Sequence, residues 1–278
     1  MGNIVWLASY PKSGNTWLRA FLANLIAGRP APVPLAELPR YADQDARPDL
    51  FAQVAGEPVT QLEFAQLCAL RPRVHAHIAA NALKTIFVKT HSAAGTHDGV
   101  PLHNPDVTAG AIVVVRNPLD VAISMSHHFG IGIDAAIDYL GNDDTASENN
   151  ELFVSEFLGS WSLHTKSWAD QEGPRVLVLR YEDLLEKPAK WFGKVARLVG
   201  LDADRARVER AIRHASFPSL SGMERRDGFA EVPIKGKHFF RAGRANQWRD
   251  VLTRAQVERI VARHREQMAR FRYVPAGY

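Results

Sequence analysis

The chain has 278 residues, 46% of them apolar, and a net charge of only +4. That is enough apolar residue for a substantial core in one α/β domain, or in a domain with a lid. A single cysteine, Cys68, excludes an internal disulfide, and no run approaches the roughly 20 apolar residues of a membrane-spanning helix.

The first element is an apolar run, Ile4 to Ala8, short and β-branched, which reads as a buried strand. It is too short for a secretory leader and lacks a charged flank, so the expected location is the cytoplasm. Tyr10-Pro11 ends it, because proline has no N–H to continue a ladder. A helix follows, with Trp17, Leu18, Phe21, Leu22 and Leu25 at three- and four-residue steps. Between strand and helix lie Lys12, Ser13, Gly14, Asn15 and Thr16. Backbone N–H groups at a helix start attract anions, and Gly14 permits close approach, so this loop has the make-up of a phosphate cradle. It is not the Walker pattern, since Lys12 precedes Gly14 and the loop is shorter. The plain alternative is a strand-to-helix turn with a solvated lysine.

From Ala27 to Pro39 five glycines and prolines mark a loop, and Tyr41 to Pro72 reads as surface helices and turns. Further strands are expected at Thr85 to Lys89, Ala111 to Val115 and Arg175 to Leu179, each with helical sequence beside it. This is an α/β pattern: a central parallel sheet with helices on both faces. Ligands of open parallel sheets bind off the carboxyl ends of strands. Here those ends carry Lys12, Lys89-Thr90-His91, Arg116-Asn117 and Arg180-Tyr181, which makes an anion site with a possible base. After Arg116, Asn117 is placed to cap a helix and Pro118 to open it. Asp120 and Ser124 then share one helical face.

Charge is uneven. From Lys235 to the last residue there are 11 Lys plus Arg against 3 Asp plus Glu. Without aromatic interleaving or a nucleic-acid motif, Arg254, Arg259, Arg263 and Arg270 read as the wet face of a terminal helix, and no nucleic-acid partner is expected. Asp134, Asp138, Asp143, Asp144 and Glu148 form an acidic stretch that either meets a cationic acceptor or is simply solvated. His75, His77, His97, His103, His127 and His128 repeat no ligand spacing, and no metal is expected.

Tyr10 through Trp17 resembles the 5′-phosphosulfate loop of the cytosolic-type sulfotransferases, which use 3′-phosphoadenosine-5′-phosphosulfate (PAPS). Arg116-Asn117-Pro118-Leu119-Asp120-Val121-Ala122-Ile123-Ser124 is similar to their 3′-phosphate motif. Gly159-Ser160-Trp161, Arg180 to Leu184 and Arg241 to Arg249 follow in family order. The resemblance covers nearly the whole chain and implies the P-loop-kinase-like sulfotransferase fold in a single domain, residues 1–278. Residues 28–83 and 129–150, where it is weakest, would face the acceptor.

The resemblance implies a role for each matched residue. His91 would be the general base, Lys12 would stabilise the leaving oxygen, and Lys89 would assist at the transferring group. Lys12, Ser13, Gly14, Asn15 and Thr16 would hold the 5′-phosphosulfate. Arg116, Ser124 and the loop Arg241-Ala242-Gly243-Arg244 would hold the 3′-phosphate. Trp17 and Phe217 would sandwich adenine, with Tyr181 and Ser216 beside them. PAPS is then the donor, adenosine 3′,5′-bisphosphate (PAP) the product, and a small alcohol or phenol the acceptor. A nucleotide-dependent kinase, or a binding protein without the chemistry, is the alternative on the same sheet. Three departures stand out. Ala242 replaces a family lysine, which Arg244 is placed to supply, and Asn246 replaces a glycine at a left-handed position. Arg254 stands at the valine of the family's short dimer motif, so a monomer or weak homodimer is expected.

Overall fold

The computed structural model describes residues 2–171, 175–201, 203–231 and 238–278. Lys235 and Lys237 of the basic tail lie outside that set. Five strands, β1 (Ile4–Ser9), β2 (Asp43–Gln44), β3 (Ile86–Thr90), β6 (Thr108–Val115) and β7 (Val176–Arg180), pair in the order β2-β3-β1-β6-β7. Every pair among them is parallel. A small hairpin, β4 (Thr96–His97) with β5 (Val100–Pro101), stands apart.

The described residues also form twelve α-helices: α1 (Asn15–Ala27), α2 (Pro48–Ala55), α3 (Phe64–Ala80), α4 (Pro118–Phe129), α5 (Ile133–Gly141), α6 (Trp161–Ala169), α7 (Tyr181–Glu186), α8 (Pro188–Leu198), α9 (Arg205–His214), α10 (Phe217–Asp227), α11 (Trp248–Val251) and α12 (Arg254–Arg270). They cover both faces of the sheet, because a central parallel strand must bury alternate side chains on opposite sides. Trp6, Ala8, Ala111 and Val113 pack with Val74 of α3, Val121 of α4 and Ile260 of α12. Leu7, Ile112 and Val114 pack on the other side with Leu18 and Phe21 of α1, Phe192 of α8 and Val208 of α9. Trp6 is wholly buried, worth roughly 2–3 kcal/mol in apolar transfer for a side chain of that size.

The expected strands are present with shifted bounds: β3 and β7 each run one residue later, and β6 starts three residues earlier. The region Tyr41 to Pro72 needs more correction. It contains an unforeseen edge strand, β2, paired with Val88 and Lys89. Helix α3 runs through Pro72 and is no surface element: Leu67, Arg71, Val74 and His75 are buried. Arg71 is the reason the sequence misleads, since a buried charge breaks the apolar stripe. It is compensated by Asp45 at 3.0 Å.

The two charged stretches explain each other. Arg259 of α12 bonds Asp134 and Asp138 of α5, each at 2.6 Å, and Arg263 bonds Asp143 at 2.7 Å. Arg270 bonds Asp170 at 2.6 Å. The basic helix therefore lies against the acidic stretch. Arg254 is exposed and pairs with Glu258 at 2.9 Å on the same helix.

Candidate active site

The loop after β1 is folded by two left-handed residues, Lys12 (φ +66°) and Gly14 (φ +110°), and a turn bond from Ser13 N to the Tyr10 carbonyl. Gly14 admits no side chain, because a Cβ there would lie 2.8 Å from the Tyr181 ring. Asn15 narrows the expectation: its side-chain amide points inward and donates to the Leu7 carbonyl at 2.8 Å, leaving only its backbone N–H for a ligand. Ser13 Oγ and Trp17 Nε1 are buried and have no partner among the described residues. Buried donors of that kind need an acceptor. Thr16 Oγ1 instead donates to Glu231 at 3.1 Å, and the buried Arg19 meets the same carboxylate at 2.6 Å.

Arg116 closes β6 and links two loops. Its guanidinium donates to the Lys12 carbonyl at 3.0 Å and the Arg244 carbonyl at 3.3 Å, and lies 4.5 Å over the Tyr181 ring. Asn117 caps α4 by accepting from Leu119 N, with Pro118 in the first turn. Asp120 accepts from Asn246 N at 2.7 Å and Trp248 N at 3.1 Å, so α4 anchors the 241–248 loop. Asn246 takes the left-handed conformation (φ +62°) expected for it. Gly243 has no alternative, since a Cβ would sit 2.2 Å from the Phe217 ring. Burial, Arg116 and Arg244 push the Arg241 pKa down, the mark of cations crowded where a dianion would be welcome. Ala242 adds no charge, and the Arg244 side chain is exposed and leans to Asp250 at 3.9 Å. Ser124 is half-buried on α4, and Ser216 caps α10 without a side-chain bond. Trp17 lies edge-on to Tyr181 and Phe192, at 5.5 and 5.3 Å.

At the end of β3, His91 Nδ1 lies 2.7 Å from the Ser9 carbonyl. A carbonyl only accepts, so Nδ1 carries the hydrogen and Nε2 keeps its lone pair. Burial, helped by Lys89, lowers the His91 pKa to about 4, against the pull of Glu156. The Glu156 carboxylate accepts from His91 N at 2.5 Å. Lys12 Nζ lies 3.2 Å from His128 Nδ1 and 3.9 Å over the Phe239 ring. Burial above all, with Arg116 and Lys89, brings the Lys12 pKa to about 7 although Glu231 opposes it. His128 is likewise held near 4 by burial and Lys12.

Several neighbours of the site were not foreseen: Arg19, His128, Glu156, Glu231 and Phe239. One had a signal. His128 continues the Asp120–Ser124 face by another four residues. A kinase would need carboxylates near the strand ends to hold a metal ion, and the nearest pair, Glu182 and Asp183, is already engaged. Glu182 accepts from Asn117 N at 3.1 Å and from the Tyr273 hydroxyl at 2.6 Å, and that hydroxyl is also 3.2 Å from the Val115 carbonyl. Asp183 pairs with Arg180 at 3.0 Å. No helix among the described residues is long and apolar enough to cross a membrane.

Comparison with known proteins gives the family and the fold. The Sulfotransferase domain model matches residues 3–272. The chain is 24% identical to dog Sulfotransferase 1A1 over 94% of this chain and 82% of that one. It is 27% identical to Cytosolic sulfotransferase 13 of Arabidopsis thaliana, over 91% and 73%. Among solved structures, mouse sulfotransferase SULT7A1 complexed with PAP superposes with a TM-score of 0.63 at 20% identity, covering 96% of this chain and 84% of that one. Retinol dehydratase in complex with androsterone and PAP gives 0.65 at 20%, covering 96% and 80%. A match from the first strand to the end of the last helix, on a sheet whose rim gathers Lys12, His91 and Arg116, makes this chain a member of the sulfotransferase domain family.

Proposed function

We propose that this chain transfers the sulfuryl group of PAPS to a hydroxyl of a small-molecule acceptor, with His91 as general base and Lys12 at the leaving oxygen. The observation that carries the reading is the pair of hydrogen bonds that the Arg116 guanidinium donates to the Lys12 and Arg244 carbonyls. It brings a 5′-side loop and a 3′-side loop to one cation, as a donor with phosphates at both ends of a ribose requires. The residues fit the donor on their own account. Ser13 Oγ, Trp17 Nε1 and Arg116 Nε are buried donors without partners among the described residues, and Gly14 and Gly243 leave room where a Cβ would collide.

In the proposed reaction the acceptor oxygen bonds to sulfur as the sulfur–oxygen bond to the 5′-phosphate breaks. The electron pair stays on the phosphate oxygen, and the acceptor's proton goes to His91 Nε2. Lys12 and Lys89 face the charge that grows on the leaving oxygen and the sulfuryl group, where fixed cations have their largest effect. Arg116, Arg241 and Ser124 hold the 3′-phosphate. Trp17, Phe217, Tyr181 and Ser216 form the nucleoside wall, and residues 28–83 and 129–150 supply the acceptor side. His128 and the aromatic residues Phe129 and Phe239 around it support an apolar acceptor entrance. Incubation with sulfur-labelled PAPS and a panel of phenols, alcohols, sugars and amines tests the reading. Label transfer to a hydroxyl compound is expected. Transfer only to amines, or γ-phosphoryl transfer from ATP, would overturn it.

A further inference from the structure

Behind the base lies a buried acidic pair for which donor and acceptor binding have no use. Glu156 and Asp45 are both buried, yet their surroundings divide them. Asp45 is engaged by the Arg71 guanidinium and the Thr90 hydroxyl, both at 3.0 Å. Glu156 takes the backbone N–H of His91 and has no cationic partner in bonding distance among the described residues. Its own N–H is fixed by Ser147 Oγ at 2.8 Å. A carboxylate buried without an ion pair is destabilising unless a positive charge arises beside it. One does arise in the proposed reaction, because His91 becomes an imidazolium when it takes the acceptor's proton.

We propose that Glu156 is the positioning residue of the base: it fixes His91 through the backbone and supplies the negative charge against which the imidazolium forms. This rests on the reading of His91 as base. The electrostatic need is evident from the neighbours. Lys89 lies close enough to the ring to oppose a positive charge on it. His164, packed behind His91, is itself held neutral by burial, so it offers no compensation. Glu231 is the other carboxylate facing the ring, but Arg19 and Thr16 engage it. Glu156 is therefore the carboxylate left to favour the charged form. Asp45 sharpens the effect. Burial and the proximity of Glu156 raise its pKa against the pull of Arg71, while Glu156, despite burial, is held low by His91, Lys89 and Arg71.

The deciding variant is Glu156→Gln, which keeps an acceptor for His91 N–H and removes the charge. An opposite charge at this range moves a pKa by about one unit or more, which is about tenfold in the proton equilibrium. Turnover at neutral pH should fall about tenfold or more, PAP affinity should stay within about twofold, and the acid limb of kcat/KM should move to lower pH. A merely structural residue would not move that limb. Glu156→Asp, which keeps the charge on a shorter arm, should recover part of the turnover and the parental limb. It also decides the matter should the Gln variant fail to bind PAP. Parental turnover and pH profile in Glu156→Gln would overturn the proposal, as would an Asp variant no better than Gln. His91→Ala, measured alongside, separates the two claims. If it stays active, the base assignment fails first; if it is inactive while Glu156→Gln is normal, only the role of Glu156 fails.

Discussion

Lys12 Nζ and His128 Nδ1 lie 3.2 Å apart, two basic groups in one contact with Phe239 as its lid. Such a contact holds at most one proton comfortably, and with a Lys12 pKa near 7 it is partly empty at neutral pH. A bound nucleotide brings negative charge and raises that pKa. Binding of PAP near pH 8 should therefore take up as much as about one proton per site, and affinity should decline as pH climbs above 7. Calorimetry in buffers of different ionisation enthalpy reads the proton count directly. Proton release on binding would contradict the assignment, and Lys12→Ala should abolish the uptake.

His91→Ala should retain PAP affinity while turnover falls about 10²–10⁴-fold. The pH profile differs from the one the sequence alone implies. An ordinary histidine would give an acid limb near pH 6.5; burial places that of His91 near 4. His91 accepts a proton only when neutral, so activity should stay high down to about pH 5 and be lost as pH falls through about 4. A limb at 6.5 that survives in His91→Ala would assign the proton to another group.

The 3′-phosphate grip predicts a preference between nucleotides. A charge-assisted contact is worth about 1.5–3 kcal/mol, or roughly one to two decades of affinity. PAP should therefore bind far more tightly than AMP, and Arg241→Ala should erase most of that difference. Equal affinities in the parent protein, measured by calorimetry, would remove the 3′-site.

Glu231 is held by the Thr16 hydroxyl and the Arg19 guanidinium, groups that flank the proposed 5′-phosphosulfate loop. Arg19 leads in keeping its pKa down near 2, against the effect of burial. An anionic donor has to compete with this carboxylate for the same donors and field. Glu231→Gln should tighten PAP binding, by up to about tenfold if one charge-assisted contact is at stake. A weaker Kd in that variant would show that Glu231 supports the donor instead of opposing it.

Buried neutral histidines make the fold acid-sensitive. His91 and His264 are held near 4 and His164 near 3, with His75 and His103 lower than usual as well, in each case chiefly by burial. In the unfolded chain they titrate near 6.5. The unfolded state thus binds protons first, so stability is full above about pH 6.5 and is lost as pH falls toward 4 and 3. Asp45, its pKa raised chiefly by burial, acts in the opposite sense, but one group does not offset five. Urea midpoints at pH 8, 6 and 5 should decline in that order, and a flat series would contradict this.

What could be read from the sequence was what lies contiguous in it. The Lys12 loop, the Arg116–Ser124 helix start and the Lys89–His91 strand end each present their chemistry within a few residues of a strong strand signal. Asn117 and Asn246 were legible because their roles are local. Glu231 and Glu156 were not, since they reach the site from 215 and 65 residues away from their partners Thr16 and His91. No periodicity encodes such a meeting. The two-residue strand β2 is too short to carry a pattern, and Arg71 disguised a core helix as a surface one. The acidic and basic stretches were each visible, but that they face one another followed only from how α5 and α12 pack.

The Tyr273 hydroxyl, within reach of both Glu182 and the Val115 carbonyl, has a consequence for how the chain tolerates trimming. Val115 immediately precedes Arg116, and Glu182 immediately follows Tyr181, on which Arg116 lies. A residue five positions before the last one therefore acts as a strut under the nucleotide grip. A truncation ending at Phe271 would leave every motif residue in place and still loosen the seat of Arg116, so shortened expression forms should be judged by nucleotide affinity before their activity is compared.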